Sequence, residues 1–169
     1  MFRGRRRIDK TLVLIPLDVR LELEREADRC APLETGGVLL GFEDTADRRQ
    51  IQITAMVGPG PKAVHQRNRF EPDSDWQRDQ VARIYRESGR VVTYLGDWHS
   101  HPRGSTRPSS LDRRTAAHIG ACIEARMRHP LMGILAGSRQ SWSLATYRFA
   151  RRRLRPAECY VEGIADASP

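Results

Sequence analysis

Several features that would settle the class of a protein at once are missing from this sequence. It has only three cysteines in 169 residues. Cys30, Cys122 and Cys159 stand far apart, with no Cys-x-x-Cys pair and no even set for a disulfide framework. Free thiols in a reducing, cytoplasmic setting are therefore expected. No apolar run approaches the ~20 residues that cross a bilayer. The start is basic, but the apolar stretch Leu12–Leu17 is short and is followed by charge, unlike a cleaved leader. There is no internal repeat and no low-complexity tract, which excludes solenoids and arrays.

What is present fits one layered domain, expected over residues 1–155 with a C-terminal tail at 156–169. Hydrophobic residues make up 39% of the chain, too many for a disordered segment. The formal net charge is +8. Much of it comes from Arg3, Arg5, Arg6 and Arg7 at one end and Arg148, Arg151, Arg152, Arg153 and Arg155 at the other. Such clusters suit nucleic acid, an anionic membrane or an acidic protein. They equally suit a solvated, arginine-rich surface.

Hydrophobic spacing predicts the elements. Thr11–Pro16 reads as a strand. A helix follows in which Val19, Leu23, Ala27 and Cys30 share a face, ending before Pro32. Glu34-Thr-Gly-Gly-Val-Leu-Leu-Gly-Phe42 and Gln50–Val57 read as a hairpin. Gly58–Asp75 is the longest irregular stretch, broken by Pro59, Pro61 and Pro72, and loops this long are often functional. Asp73 or Ser74 can cap a helix with Val81, Ile84, Tyr85 and Ser88 on one face, stopped by Gly89. Val91–His99 is a strand. A helix from about Leu111 to Met127 is expected to bury Ala116, Ile119, Ile123 and Met127. Leu131–Ala136 and Ser141–Phe149 close the set, and the tail after Pro156 is expected to be loosely ordered. This order predicts a mixed β-sheet packed by helices, α/β or α+β in class.

The densest chemistry lies in Gly96-Asp-Trp-His-Ser-His-Pro-Arg-Gly-Ser-Thr-Arg-Pro-Ser-Ser-Leu-Asp112. His99 and His101 are two apart on a strand, so both imidazoles project from one side. Asp112 falls in the first turn of the next helix and can swing back toward the strand end. Two histidines and a carboxylate leave a fourth tetrahedral position open, the pattern of catalytic zinc. Ser109-x-x-Asp112 is also a capping box, and two hydrogen-bonded histidines would explain the pair. Glu34 precedes two glycines and a strongly apolar strand. It is either an exposed turn glutamate or a partly desolvated carboxylate suited to general-base work. Asp97 shares the parity of the histidines, as a ligand support, a substrate contact or a strand-end charge. Trp98 and Ser100 face the other way, toward the core. Arg103 and Arg107 flank the loop, placed to attract an acidic partner. His65, His118 and His129 lack ligand spacing and read as structural or exposed.

Glu34, then His99-x-His101, seven residues, and Ser109-x-x-Asp112 together resemble the JAMM (MPN-plus) metalloprotease motif. The likeness includes the local forms Glu-Thr-Gly-Gly-x-Leu-x-Gly and His-Ser-His-Pro, and spans Leu12 to Phe149 as an order of elements. It implies a cytidine deaminase-like fold and a zinc (Zn2+) isopeptidase that cleaves after the C-terminus of ubiquitin or a ubiquitin-like protein. By that resemblance His99, His101 and Asp112 hold the metal, Glu34 activates water, and Ser109 stabilises the oxyanion, as acyl transfer requires.

Only a helix separates Asp112 from Leu131, so the large insertion of long-chain-specific deubiquitinases is absent. The compact size and the Asp-Trp-His-Ser-His-Pro form look like bacterial members, many of which sit beside ubiquitin-like conjugation enzymes, including anti-phage systems. The expected partners are a ubiquitin-like protein, its conjugates and E1- or E2-like proteins, with no membrane and no nucleic acid. An extended tail is expected to add to an open sheet edge beside the zinc, gripped by Pro61–Asp75 and Arg103–Pro108. One alternative is processing of a sulfur carrier of ubiquitin-like fold. Another is a basic nucleic-acid-binding relative of the DNA-repair type, against which the Glu-Thr-Gly-Gly strand start argues.

Overall fold

Residues 10–163 are described by a computed structural model, and Arg3, Arg5, Arg6 and Arg7 lie outside it. Strand β1 (Leu12–Pro16) leads into helix α1 (Leu17–Cys30), and β2 (Gly36–Glu43) and β3 (Gln50–Val57) form a hairpin. Two short strands, β4 (Val64–His65) and β5 (Phe70–Glu71), precede α2 (Ser74–Glu87) and β6 (Thr93–Pro102). Helix α3 (Ser110–Ala121) is followed by β7 (Leu131–Ser138), β8 (Ser141–Ala150) and β9 (Arg153–Glu162).

The mixed α+β class expected from the sequence is present. The sheet, however, closes on itself in the order β1-β3-β2-β6-β7-β8-β9. Strand β1 completes the circle by pairing parallel with both β3 and β9. Strand β6 is antiparallel to β2 and parallel to β7. The open edge expected beside the histidines therefore does not exist in the barrel, because β6 is paired on both sides. The free edges nearby belong to the separate β4–β5 hairpin.

Helices cover the central strands on both faces, so those strands are apolar almost throughout. Val19, Leu23 and Ala27 of α1 enter the main core with Leu39, Ile53, Trp98 and Leu135. On the other face α2 packs Trp76, Val81 and Ile84 against Val38, Leu40 and Val57. Helix α3 sets Ala116 over Met132 and Ile134. Asp73 caps α2 by accepting the Trp76 N–H, as its sequence position predicts. Among the described residues, no helix is long and apolar enough to cross a membrane.

Three expectations are corrected. The irregular stretch 58–75 contains the β4–β5 hairpin. Helix α3 stops at Ala121, because Cys122 is extended, and its N–H closes on the His118 and Ile119 carbonyls. Ile123, expected on the buried face, is 86% exposed. The expected tail also carries the barrel's last strand. Ala157, Cys159 and Val161 point inward and alternate with exposed Glu158, Tyr160 and Glu162. Pro156 is tolerated because it lies in the half of β9 that pairs with β8 alone, where β1 does not reach.

Candidate active site

Strand parity delivers His99 and His101 to the face of β6 opposite Trp98 and Ser100, which are 1% and 0% exposed. The chain then leaves β6 at Pro102, crosses a loop and enters α3 with Ser109 as its N-cap. Asp112 is thereby placed against the histidines. The Nε2 atoms of His99 and His101 are 3.0 Å apart. Asp112 Oδ1 lies 3.2 Å from His99 Nε2, and its Oδ2 lies 3.8 Å from His101 Nε2.

These atoms fit a metal. Tetrahedral zinc with bonds of 2.0–2.2 Å holds its ligand atoms ~3.4 Å apart, and one ligand atom from each residue lies within 4.8 Å of the others. The tautomer also fits. His101 Nδ1 donates to the Ser105 carbonyl at 2.8 Å. A carbonyl can only accept, so the lone pair of neutral His101 is on Nε2, facing its neighbours. Burial is the largest influence on His101 and lowers its pKa, which favours the neutral, ligand-competent ring. Burial works to raise Asp112, but His99 and Ser109 outweigh it and hold the carboxyl well below its usual range. Only His99 can bring a donor to this cluster, and a cation held by all three side chains would take the place of that proton.

The capping box and the cluster turn out to be compatible. Ser109 Oγ accepts the Asp112 N–H, and the Ser109 N–H donates to Asp112 Oδ2. Asp112 Oδ1 is left toward His99. Ser109 Oγ spends a lone pair on the cap and keeps its own proton to donate.

Glu34 shares a cleft of about 350 Å³ with His99 and Asp112. Burial pushes its carboxyl up to about 7, helped by Asp112 and opposed by His99. The residue is gripped from two sides. Its N–H donates to the Gln66 carbonyl at 2.8 Å, and its carbonyl accepts from His65 Nδ1 at 2.9 Å. Next to it, buried Thr35 exchanges hydrogen bonds with Ser100, the residue between the two histidines. Gly36 is needed for this assembly. A Cβ there would lie 2.3 Å from the Trp98 carbonyl oxygen and 2.6 Å from the Phe70 ring.

His65 is thus a support of the Glu34 backbone, which its sequence position did not announce. Arg69, Phe70, Glu71 and Pro72 of the expected gripping segment line the cleft. No residue of Arg103–Pro108 does so; that loop instead supplies Ser105 to His101. Arg103 and Arg107 are exposed. His118 and His129 are exposed and outside the cluster. Among the described residues, Asp97 makes no hydrogen bond to either histidine and accepts one from the Tyr94 hydroxyl at 2.7 Å.

Residues 16–150 match the family model described as prokaryotic homologs of the JAB domain. A Sinorhizobium fredii protein named "Probable metalloprotease y4qB" is 40% identical over 132 residues, covering 78% of this chain and 79% of its own. Proteins named CD-NTase/cGAS isopeptidase are more distant. The one from Escherichia coli is 27% identical over 64% of this chain and 65% of its own. The one from Vibrio cholerae is 30% identical over 57% of this chain and 59% of its own. This chain thus spans less than two thirds of those isopeptidases. The solution structure of a Desulfitobacterium hafniense protein superposes with a TM-score of 0.64 at 17% identity, covering 91% of this chain and 95% of that one, a likeness of fold alone.

Proposed function

The chain belongs to the family of prokaryotic homologues of the JAB domain, and from that premise we propose that it is a zinc-dependent isopeptidase. It cleaves after the C-terminus of a ubiquitin-like protein, freeing that protein from its targets or trimming its precursor. One observation carries this reading: Glu34, His99 and Asp112 line a single cleft, with His101 completing a three-ligand cluster at its end. A metal clip alone has no use for a half-buried carboxylate beside it; a hydrolase does.

In this reading His99, His101 and Asp112 hold zinc. Bound zinc supplies Lewis acidity and a water acidified to a pKa of roughly 7. Glu34 takes the proton from the attacking water and passes it to the leaving amine. The Ser109 hydroxyl donates to the oxygen of the tetrahedral carbon. Ser105 keeps His101 in the productive tautomer. An extended tail can add to the free edge of β5, which lines the cleft, in place of the barrel edge that closure removes.

The names of the isopeptidase relatives support an isopeptide substrate. The proposed setting is cytoplasmic, alongside E1- and E2-like proteins of a bacterial conjugation system of the anti-phage kind. The core is proposed to be cytidine deaminase-like, with its ligands at a strand end and the following helix start.

The test uses purified protein, metal analysis, and linear and isopeptide-linked fusions of ubiquitin-like proteins. Mass spectrometry should show one cut after the modifier's last residue, abolished by a chelator and restored by zinc. Zinc-loaded protein that cuts no fusion overturns the proposal. Cleavage confined to sulfur-carrier fusions would move the substrate to that class.

A further inference from the structure

Asp97 satisfies the Tyr94 hydroxyl with one oxygen, and that bond leaves its second oxygen unused. Asp97 caps no helix and forms no ion pair among the described residues, yet it is one of the residues that line the cleft. The fold goes out of its way to present it. The β2–β6 ladder pairs Leu39 with Gly96 and Leu40 with Tyr94, skipping Leu95. Strict alternation would put Tyr94 and Asp97, three residues apart, on opposite faces. The bulge buries Leu95 in the main core and swings Tyr94 onto the side of Asp97, where its hydroxyl donates to Oδ1. The bulge in turn depends on Gly96, whose φ is +153° and whose Cβ would lie 2.0 Å from the Leu131 carbonyl oxygen. One carboxylate oxygen is thus pinned. A carboxylate offers about four acceptor sites, and the second oxygen is not among the buried polar atoms left without a partner, so it stays open to a donor from outside.

An extended peptide can supply a donor to that open oxygen. Asp97 and His99 are two residues apart on one strand face, ~6.7 Å. A bound extended chain repeats with the same period, and the N–H and C=O of one residue point to the same side. When one residue's carbonyl reaches the metal cluster, the N–H two residues earlier reaches Asp97. Phe70, Leu111 and Met132 give the cleft apolar walls. We propose that Asp97 is the substrate-gripping residue of the cleft, accepting the backbone N–H two residues before the cleaved carbonyl, with Tyr94 as its positioning residue. The inference rests on the peptidase reading above.

The experiment is a cycle between enzyme and substrate. Zinc-loaded protein is assayed on tetrapeptide aminocoumarin amides built from Gly, Ala, Leu and Arg. Each is made plain and with one peptide nitrogen methylated in turn. In the wild type, methylation of the nitrogen two residues before the cleaved carbonyl should lower kcat/KM ~10- to 100-fold, the worth of a hydrogen bond to a charged group. Asp97→Ala should lose a similar factor on the plain peptide and lose nothing more on methylation. Asp97→Asn, of nearly the same shape, guards against misfolding, and Tyr94→Phe should show a smaller loss of the same kind. Zinc content should be unchanged in all three. Multiplicative effects at every position, or loss of zinc, overturn the inference. So does an arginine preference that vanishes in Asp97→Ala without methylation coupling, since it would make the ligand a cation. A wild type that cuts no peptide counts against the peptidase reading itself, and this inference falls with it.

Discussion

The site has two halves that are built differently. The cluster of His99, His101 and Asp112 comes from one continuous stretch: a strand, a loop and a helix start. Its geometry follows from strand parity and a helix cap. The Glu34 half comes from far-separated pieces. The β4–β5 hairpin grips its backbone, Ser100 ties down Thr35, and Gly36 lets Phe70 approach. Local geometry can assemble ligands, whereas placing a base opposite them takes tertiary structure. The two halves should therefore fail separately.

His101→Ala should show the largest effect. Metal analysis should fall from about one zinc per chain to near zero, with turnover at background, because three protein ligands are the minimum of a catalytic zinc site. Glu34→Gln should come next, lowering kcat ~10²–10⁴-fold, the usual worth of a general base. Its zinc content should match the wild type; loss of zinc would erase the distinction between the halves. Ser109→Ala, on the ligand side, should remove an oxyanion donor worth ~10²–10³ in kcat and an N-cap worth ~1 kcal/mol. Thermal melts beside kinetics separate the two: a lower Tm with unchanged kcat would leave Ser109 a cap only. Gly36→Ala should keep zinc and lose up to ~10²-fold in kcat, since a small displacement near the chemistry suffices. If its zinc content dropped as well, the glycine would belong to the ligand half.

The same contrast explains what was legible in the sequence. His99, His101, Ser109 and Asp112 were readable because their relation depends on spacing within local elements. Glu34 stood out only through its place before two glycines and through a family likeness. His65 carried no signal, since its one relevant bond is to a backbone carbonyl that any residue at position 34 would offer. The end of α3 is masked in the sequence because Ile123 and Met127 keep helical spacing past Ala121, where the chain has already turned. Met127 still packs on the core, from outside the helix. Strand β9 was hidden by Pro156, although Ala157, Cys159 and Val161 keep a period of two. Barrel closure was out of reach, because it depends on β1 meeting both β3 and β9 across the whole chain.

The β4–β5 hairpin stands outside the barrel's ladder. Its length and sequence can change without unpairing any barrel strand, so it is the part of the molecule that can be exchanged for a new specificity at least risk to folding. The exchange is not free of consequence for rate. Residues that line the cleft, Phe70 and Glu71, lie in the same short stretch of chain as His65 and Gln66, which hold Glu34. A lineage that rebuilds this hairpin must therefore re-anchor Glu34 in the same step.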